Sequence, residues 1–321
     1  MGERLALVAG AGGFLGGHLA ARLVRDGWGV RAVDCRPLAA WAQVQPAAEN
    51  RVLDLRDPLA CRAAVQGCER VYNLAADMGG MGYIETHRAA CMLNVLIGTQ
   101  LIEAARAAGV QRYFFASSAC VYPAARQDRA DLPPLREEDA YPADPEDGYG
   151  WEKLFSERLC RHFVEDYGFD ARVARLHNVY GPFGAWRGGR EKAPAALCRK
   201  VLEARTQAEP SIEIWGDGTQ SRSFLYVDDA IEGIVRLMQG EARGPLNLGS
   251  EERVSVDGLV DVLEDLAGLR CRRVYRPQAP RGVAGRSSDN ARVQRELGWS
   301  PKVPLREGLT RLMRWMAPLL S

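Results

Sequence analysis

The sequence predicts an α/β fold built on a doubly wound parallel sheet, with a smaller C-terminal region beside it. Short apolar runs alternate with helical patterns along the first half of the chain, which is typical of a parallel sheet with helices on both faces. The first run, Leu5–Ala9, is apolar throughout and predicts a strand that is buried on both faces. It ends in a glycine-rich turn at residues 10–16, which opens a helix.

The glycine-rich turn predicts a binding site for a dinucleotide. Gly10, Gly13 and Gly16 allow a tight turn, close approach of the backbone to a pyrophosphate, and close packing of the helix on the strand. Phe14 and Leu15 begin that helix, so their backbone is a candidate contact for the phosphates. Glycine-rich turns are common, but the turn together with the alternating pattern predicts a Rossmann-like sheet.

The second strand supplies an acidic residue where the adenosine ribose would lie. Residues 30–33 predict this strand, and Asp34 ends it, so the carboxylate can accept hydrogen bonds from the ribose hydroxyls of NAD. Arg36 keeps NADP as an alternative, although Asp34 would repel the additional phosphate of NADP. Asp54 follows a third strand and is a candidate for the adenine amino group, with a solvated loop acid as the alternative.

The remaining elements of the first half extend the sheet. Its ligands should lie beyond the carboxyl ends of the strands, where Ser118, Cys120 and Asn178 fall. The further predicted elements are strands at residues 70–75, 113–117 and Ala171–Leu176, a long helical pattern to about Ala108, a helix around residues 149–165, and a loop rich in Pro, Asp and Glu at residues 132–147.

The character of the sequence changes after Pro182. A region of short strands and helices follows, with too few regular strands for an independent fold, so we expect it to cap the sheet and bind the substrate. We expect the chain to return to the first domain near residues 224–248. The predicted division is a cofactor-binding Rossmann domain at residues 1–182 plus 224–250, and a substrate-binding domain at residues 183–223 plus 251–321.

Composition excludes several classes of partner. The chain has 321 residues, 47% of them hydrophobic and 26% charged, with a formal net charge of +1, which fits one large unit or two coupled domains. No basic run interleaved with aromatic residues is present, so no nucleic-acid partner is predicted. The apolar stretches are too short to span a bilayer, and residues 1–4 lead directly into a strand, so we expect a cytoplasmic protein without membrane contacts.

Cysteine and histidine spacing gives no indication of a metal site. The eight cysteines are scattered without a Cys-x-x-Cys pair, and most are expected to be small buried residues. The four histidines are dispersed as well. No metal is predicted.

Three residues predict redox chemistry combined with proton transfer. Tyr149 and Lys153 are four residues apart on a predicted helix, so the ammonium can lower the pKa of the phenol toward the range of a general base. The alternative for this pair is a contact on the helix surface. Cys120 lies upstream, within Ser-Ser-Ala-Cys-Val-Tyr-Pro at residues 117–123, and its alternative is a small core residue after a strand.

These motifs together resemble the extended short-chain dehydrogenase/reductase family, and within it the GDP-mannose 3,5-epimerases, a family of nucleotide-sugar epimerases. The resemblance covers nearly the whole chain. Tyr-x-x-x-Lys is common to the whole superfamily, whereas other segments are more specific. These are Ala-Asp-Met-Gly-Gly-Met-Gly at 76–82, Ser-Ser-Ala-Cys at 117–120, Gly-Pro-Phe-Gly at 181–184, Gly-Gly-Arg-Glu-Lys-Ala-Pro at 188–194, Trp-Gly-Asp-Gly at 215–218, and Gly-Arg-Ser-Ser-Asp-Asn at 285–290.

The resemblance implies an enzyme that holds NAD, oxidises GDP-mannose at C4, epimerises the neighbouring carbons and then returns the hydride. A ketone at C4 acidifies both C3–H and C5–H, and inversion needs one group to remove a proton and another to deliver one on the opposite face. Cys120 and Lys192 match the family's acid/base pair. For Lys192 the alternative is a surface lysine in the first turn of a helix.

The resemblance also implies roles for further residues. Tyr149 would be the base for the C4 hydroxyl, and Lys153 would reach the nicotinamide ribose. Ser118 would hydrogen-bond the C4 oxygen, with capping of a nearby amide as its alternative. The implied cofactor contacts are Gly10, Gly13, Phe14, Leu15, Gly16, Asp34, Asp54, Leu74, Tyr149 and Lys153, and the implied substrate contacts are Gly79, Ser118, Ala119, Cys120, Asn178, Glu191, Lys192, Ala193, Lys200, Gln220, Arg222 and Arg286.

Several other functions remain open from the sequence. Inversion at C5 alone would yield GDP-L-gulose, and inversion at both carbons would yield GDP-L-galactose. A 4,6-dehydratase would carry an acidic pair where Ala119 and Cys120 stand, and a 4-epimerase would leave Cys120 and Lys192 without a role. A non-catalytic NAD-binding regulator would typically have lost Tyr149 or Lys153.

We expect a homodimer. The helices at residues 88–108 and after Tyr149 carry apolar faces that could pack across a two-fold axis, as in relatives. The alternative is that both faces pack against their own sheet.

Overall fold

A seven-stranded parallel sheet forms the centre of the computed structural model, which describes residues 4–280 and 282–320. Within these residues the strands are β1 Leu5–Ala9, β2 Gly29–Asp34, β3 Glu49–Val52, β4 Arg70–Asn73, β5 Arg112–Ser118, β6 Ala171–Leu176, β7 Val179–Tyr180, β8 Ser211–Trp215, β9 Ser221–Ser223, β10 Leu225–Tyr226, β11 Leu246–Leu248, β12 Arg253–Ser255, β13 Arg272–Arg276 and β14 Gly285–Arg286. The α-helices are α1 Phe14–Arg25, α2 Pro58–Val65, α3 Met81–Thr86, α4 Arg88–Met92, α5 Asn94–Ala107, α6 Asp147–Tyr167, α7 Ala193–Ala204, α8 Val227–Gln239, α9 Val256–Ala267, α10 Ala291–Leu297 and α11 Leu305–Met316.

The order of the main sheet is β11-β6-β5-β4-β1-β2-β3, and all its neighbouring strands are parallel. The chain winds outward in both directions from the boundary between β1 and β4. Such a boundary leaves a crevice at the carboxyl ends of the two strands, where α/β proteins bind ligands. The predicted doubly wound parallel sheet is therefore confirmed.

Alternating side chains of the strands build a core on each face of this sheet. In β1, Ala6 and Val8 pack into one core, whereas Leu7 and Ala9 pack into the other. This follows from the two-residue period of a strand. Helices α1 and α8 contribute to the first core, and α2 and α5 to the second, so β1 is apolar at every position because both of its faces are covered.

Strand boundaries agree closely with the predictions where the apolar run is bounded by turns. Strands β1 and β6 span the predicted residues, and β2 is one residue longer at its N-terminus and includes Asp34. Strand β4 ends at Asn73 rather than at Ala75, because the Asn73 side chain accepts a hydrogen bond from the Ala75 amide at 3.3 Å and turns the chain.

The long helical pattern predicted before Ala108 is divided into α3, α4 and α5. The division between α3 and α4 is at His87, whose backbone is non-helical with φ −124° and ψ 41° and whose ring stacks on Tyr83 at a centroid distance of 4.1 Å. Periodicity continues across this break, so the sequence pattern alone did not show it. The break lets α3 approach the cleft while α5 covers the sheet.

The second half of the chain forms small sheets and returns once to the main sheet. Strand β9 pairs with β12 and β14, β8 pairs with β13, and β11 lies beside β6 at the edge of the main sheet. The division of the chain at residues 182, 223 and 250 stays a prediction. Among the helices of the described residues, none combines the length and apolarity that crossing a bilayer requires.

Candidate active site

The turn between β1 and α1 is shaped for an anion. Gly10 has φ +81°, and a Cβ there would lie 2.9 Å from the backbone of Ala75, so a larger residue would be strained and crowded. A Cβ on Gly16 would overlap the Gly10 carbonyl. The N-cap of α1 is Gly13, which offers no side chain to the amides of Phe14, Leu15 and the first turn. These amides therefore remain suited to a pyrophosphate, which fits the dinucleotide prediction.

The two acidic candidates for the adenosine half lie in different environments. Asp34 is buried at the end of β2, and Arg36 donates to both of its carboxylate oxygens at 2.9 Å. Asp54 is half-buried and paired with Arg56, whose hydrogen bonds hold the pKa of the Asp54 carboxyl below its usual range. Leu74 follows β4, and its carbonyl lies against Gly10. The structure thus brings Asp34 and Leu74 to the turn, while the adenine role of Asp54 stays a prediction.

Tyr149 and Lys153 lie together on the buried face of α6. Tyr149 is 5% exposed and Lys153 is 2% exposed. The ammonium lies 5.4 Å from the centroid of the Tyr149 ring and 3.3 Å from a carboxylate oxygen of Glu152. The face sharing expected from their spacing is present, because residues four apart are neighbours on a helix.

The pKa of Tyr149 in the chain alone is raised, whereas its spacing from Lys153 predicts a pKa lowered toward the range of a general base. Burial raises the pKa of the Tyr149 phenol well above its ordinary value, negative charge at Cys120 and Glu152 raises it further, and a hydrogen bond with Ser118 opposes this. The physical reason is that desolvation of the phenolate outweighs the cation, whose charge is also shared with Glu152. Spacing predicted the contact but not the depth of burial.

Cys120 lies just beyond β5, in a single turn of 3-10 helix at Ala119–Val121. The residue is 7% exposed and packs with Ile84, Cys91 and Tyr149. Ser118 caps this turn, since its Oγ accepts from the Cys120 amide at 3.2 Å. The capping alternative for Ser118 is therefore present. Ser118 also hydrogen-bonds with Tyr149, and its contact with the C4 oxygen stays a prediction.

Lys192 comes from the segment that leads into α7 and is the N-cap of that helix, directly before Ala193. Removal from solvent lowers the pKa of the Lys192 ammonium, and attraction to negative charge at Cys120 opposes the effect. The two proton carriers predicted from the sequence are thus electrostatically coupled. Glu191 is partly buried beside them and lies 3.5 Å from Arg199.

Close backbone packing holds the Lys192 segment against the loop before α3. The Gly80 amide donates to the Arg190 carbonyl at 3.0 Å, and a Cβ on Gly80 would overlap the Glu191 carbonyl. A Cβ on Gly79 would lie 3.1 Å from the Arg190 Cα. The glycines in this part of the sequence motif are therefore required by two backbone segments in contact.

We expect Gly80→Ala to lower proton transfer that depends on Lys192 by about 10-fold to 100-fold, because small misplacements of a reacting group are costly. The added methyl would displace Glu191 and with it Lys192. Deuterium incorporation measured by mass spectrometry checks this. Gly82→Ala is the control, since its methyl would meet the ring of Trp215, which is partly exposed and can move. Equal rates for both variants and the unmodified chain would contradict the expected effect.

Arg190 fastens the same two segments through its side chain, a contact that sequence reasoning missed. Its guanidinium donates to Asp77 at 2.6 Å and to the Tyr83 hydroxyl at 2.7 Å, and lies over the Tyr83 ring. We call Arg190, Asp77 and Tyr83 the clasp. Asp77 and Arg190 stand in two of the specific motifs, which was the available signal, but their pairing depends on tertiary structure.

Three further substrate candidates donate hydrogen bonds to backbone carbonyls of β8 and β9. Asn178 donates to the Ser223 carbonyl at 3.0 Å, and Lys200 donates to the Glu213 carbonyl at 2.7 Å. Gln220 donates to the Trp215 carbonyl at 3.1 Å, while its buried Oε1 has no partner among the described residues.

Two arginines bring positive charge from this region toward the thiol. Burial lowers the pKa of the Arg222 guanidinium to about 10, and negative charge at Cys120 opposes this. Arg286 is buried and donates to the Cys120 sulfur at 3.8 Å, a contact not foreseen from its expected role at the diphosphate. In the described part of the chain, no cluster of His, Cys, Asp and Glu is suited to hold a metal ion.

Comparison with known proteins agrees with this geometry. The model of the NAD dependent epimerase/dehydratase family matches residues 6–249. The chain is 43% identical over 310 residues to GDP-mannose 3,5-epimerase 1 of Oryza sativa subsp. japonica and to GDP-mannose 3,5-epimerase of Arabidopsis thaliana. These alignments cover 96% of this chain and 80% and 81% of the relatives.

Solved structures of similar proteins share the fold over nearly the whole chain. UDP-glucose 4-epimerase from Thermotoga maritima, with UDP-glucose, superposes with a TM-score of 0.89 at 25% identity, covering 99% of this chain and 100% of that chain. MoeE5 in complex with UDP-glucose and NAD gives a TM-score of 0.82 at 32% identity, covering 99% and 100%.

The resemblance and the NAD prediction are confirmed at the level of the family. The matched region includes the glycine-rich turn, Cys120 and the helix that carries Tyr149 and Lys153. Because this match spans most of the sequence, the chain belongs to the NAD dependent epimerase/dehydratase family, within the extended short-chain dehydrogenases/reductases.

Proposed function

We propose that the chain is a GDP-mannose 3,5-epimerase, which oxidises the sugar transiently at C4, inverts C5 and C3, and then restores C4. The observation that carries this proposal is that Cys120 packs against Tyr149, with Lys192 close enough for its charge to interact with Cys120, so two groups able to transfer protons lie beside the predicted base. Two relatives at 43% identity bear the name of this activity, which supports GDP-mannose as the substrate. Cofactor, substrate and acid/base residues predicted from the sequence are proposed in the same roles.

Tyr149 accepts the proton of the C4 hydroxyl in the first step. Ser118, already in contact with the phenol, donates a hydrogen bond to the C4 oxygen. Lys153 stabilises the phenolate form of Tyr149 that accepts the proton from the sugar. When bound, NAD would accept the hydride from C4 and later return it. Asp34 and the amides at the start of α1 hold its ribose and pyrophosphate.

Cys120 and Lys192 carry the protons of the second step. The C4 ketone lets the carbanion at C5 or C3 delocalise as an enolate, so one oxidation activates both carbons. Inversion then needs removal of the proton on one face of the ring and delivery on the other. Burial keeps the pKa of Lys192 below its usual value, so a larger fraction of the amine is neutral and able to accept a proton.

The main alternative is inversion at C5 alone, with GDP-L-gulose as the product instead of GDP-L-galactose. A 4-epimerase or a 4,6-dehydratase would use the same C4 oxidation. A dehydratase would need an acid at the place of Ala119 or Cys120, and a 4-epimerase would give Cys120 and Lys192 no task. The presence of both Cys120 and Lys192 therefore favours epimerisation at C5 and C3 over epimerisation at C4.

Incubation of the purified chain with GDP-mannose and NAD in deuterated water tests the proposal. NMR and mass analysis of the released sugars should find deuterium at C5 and C3, with both L-gulose and L-galactose. UDP-glucose is the control substrate, with no ring label expected. Label at C5 with L-gulose alone would establish the 5-epimerase, and absence of turnover of GDP-mannose would contradict the substrate assignment.

A homodimer is also proposed. Met92, Leu93 and Leu96 around the junction of α4 and α5 are exposed, as are Trp151 and Phe155 on the adjacent α6. Each of these five side chains is 40% to 50% exposed, so together they offer an apolar surface that a second copy of the chain would bury.

All eight cysteines are unpaired, which favours a reducing compartment such as the cytoplasm.

Phe155→Asp should shift the protein from dimer to monomer, since a carboxylate in a buried apolar interface is strongly unfavourable. Sedimentation velocity measures the change. The control is Leu59→Asp on α2, another exposed apolar side chain outside this surface, which should leave the dimer intact. Sedimentation of the unmodified chain as a single copy would overturn the dimer.

A further inference from the structure

The sulfur of Cys120 lies beside a buried charged assembly. Arg286 on β14 is 6% exposed, and its Nη1 donates to the Cys120 sulfur at 3.8 Å. Adjacent positive charge stabilises a thiolate, and the guanidinium is placed where it can act on the sulfur in this way. The strength of that effect depends on what neutralises Arg286.

Glu146 and Gln127 hold the Arg286 guanidinium. Glu146 forms an ion pair with Nη2 of Arg286, and Oε1 of Gln127 accepts from its Nε at 2.6 Å. Gln127 is fully buried and donates to the carbonyls of Tyr122 and Pro123, both at 3.1 Å. We call Glu146, Gln127 and Arg286 the thiol-side assembly.

Glu146 is joined to Cys120 through the backbone as well. The Glu146 amide donates to the Cys120 carbonyl at 2.9 Å, immediately before α6. A Cβ on Gly150 in the next turn would overlap the same carbonyl, so α6 lies directly against this residue. These backbone contacts hold Glu146 close to Cys120, so that the Arg286 guanidinium contacts the carboxylate of one and the sulfur of the other.

Other titratable or charged groups reach Cys120 from the neighbouring elements. These groups are all present in a chain altered only at Glu146. A substitution there therefore changes only the carboxylate that pairs with Arg286. These groups are Cys91 on α4, Tyr149 on α6, Lys192 before α7 and Arg222 on β9.

We propose that Glu146 is a positioning residue that holds Arg286 against the Cys120 sulfur and limits how strongly Arg286 stabilises the thiolate. Alternating removal and delivery of a proton requires a group that can be both base and acid. The role of Glu146 in catalysis rests on the proposed function, whereas its effect on the reactivity of the Cys120 thiol does not.

Glu146→Gln tests the proposal. Glutamine has nearly the same shape and can still accept from Arg286, but it leaves the guanidinium charge uncompensated. The thiolate is then favoured at lower pH. We expect the pH midpoint of Cys120 alkylation by iodoacetamide to fall by about one unit, as for loss of a charge at this range. Mass spectrometry of the Cys120 peptide gives the midpoint, with the exposed Cys35 as internal reference.

The control is Asp144→Asn, which removes the same charge from an exposed position of the same segment. Its alkylation midpoint at Cys120 should equal that of the unmodified chain. Glu146→Asp keeps the charge and should leave the midpoint at the value of the unmodified chain. If the glutamine variant does not fold, Glu146→Ala, which also removes the charge, provides the decision. An unchanged midpoint in Glu146→Gln, or an equal shift in Asp144→Asn, would overturn the proposal.

The catalytic consequence is measured separately as the pH profile of deuterium incorporation from solvent into the sugar. In Glu146→Gln the limb that reports the basic form of the thiol should move to lower pH by the same amount. Failure of the unmodified chain to turn over GDP-mannose would reject the proposed function, while the alkylation midpoints would still decide the role of Glu146.

Discussion

Tyr149→Phe is expected to lower the rate of C4 oxidation by about 10²- to 10⁴-fold, the range for loss of a general base. The substitution removes the hydroxyl that accepts the sugar proton and keeps the buried ring that packs beside Cys120. Stopped-flow absorbance of reduced nicotinamide, after mixing the NAD-loaded chain with GDP-mannose, measures this step. Since the phenolate is the active form and burial raises the pKa of Tyr149, the rate in the unmodified chain should rise with pH.

Tyr113→Phe is the matched control. Tyr113 is another fully buried tyrosine, and its hydroxyl accepts from Asn73 at 2.9 Å within the sheet core, away from Ser118 and Cys120. Its loss should reduce stability slightly and leave C4 oxidation intact. Unchanged nicotinamide reduction in Tyr149→Phe would remove Tyr149 from the first step.

Cys120→Ala is expected to keep C4 oxidation and to lower deuterium incorporation at the ring carbons by about 10²- to 10⁴-fold. The thiol is assigned to proton transfer, whereas the hydride step depends on Tyr149, Lys153 and Ser118. The two readouts are nicotinamide absorbance and NMR of the sugar after incubation in deuterated water. Separation of the two rates is the diagnostic result.

Cys91→Ala provides the control for this variant, because Cys91 is a fully buried cysteine of the same cluster. It should retain label at C5 and C3. Normal label at both carbons in Cys120→Ala would show that another group transfers the protons, and loss of nicotinamide reduction would place the thiol in the hydride step.

The sheet could be predicted from the sequence because its strands are buried on both faces. A short uninterrupted apolar run such as Leu5–Ala9 suits a strand that is covered on both faces, and Gly10 bounds it at the C-terminal end. The break at His87 could not be predicted, because the helical period continues on both sides of it. The small sheets of the second half depend on pairings between residues far apart in the sequence.

The residues of the candidate site could be predicted from the sequence, but their contacts could not. Motifs identified Cys120, Tyr149, Lys153 and Lys192, since the chemistry requires these residue types. The position of Arg286 at the thiol was missed because a guanidinium suits a diphosphate equally well, and because its partners Glu146 and Cys120 are far from it in the sequence. The pKa direction of Tyr149 was missed because spacing gives neighbours, whereas desolvation depends on everything packed around a group.

The clasp divides the site into an interior half and a peripheral half. Tyr149 and Lys153 are enclosed by the sheet and α6, so any change to their surroundings disturbs the core. Lys192, in contrast, is aligned by Arg190 and Asp77, whose side chains are 43% and 44% exposed and border solvent. In the proposed function, substitutions at the rim should therefore act on proton transfer at Lys192 and leave C4 oxidation in place.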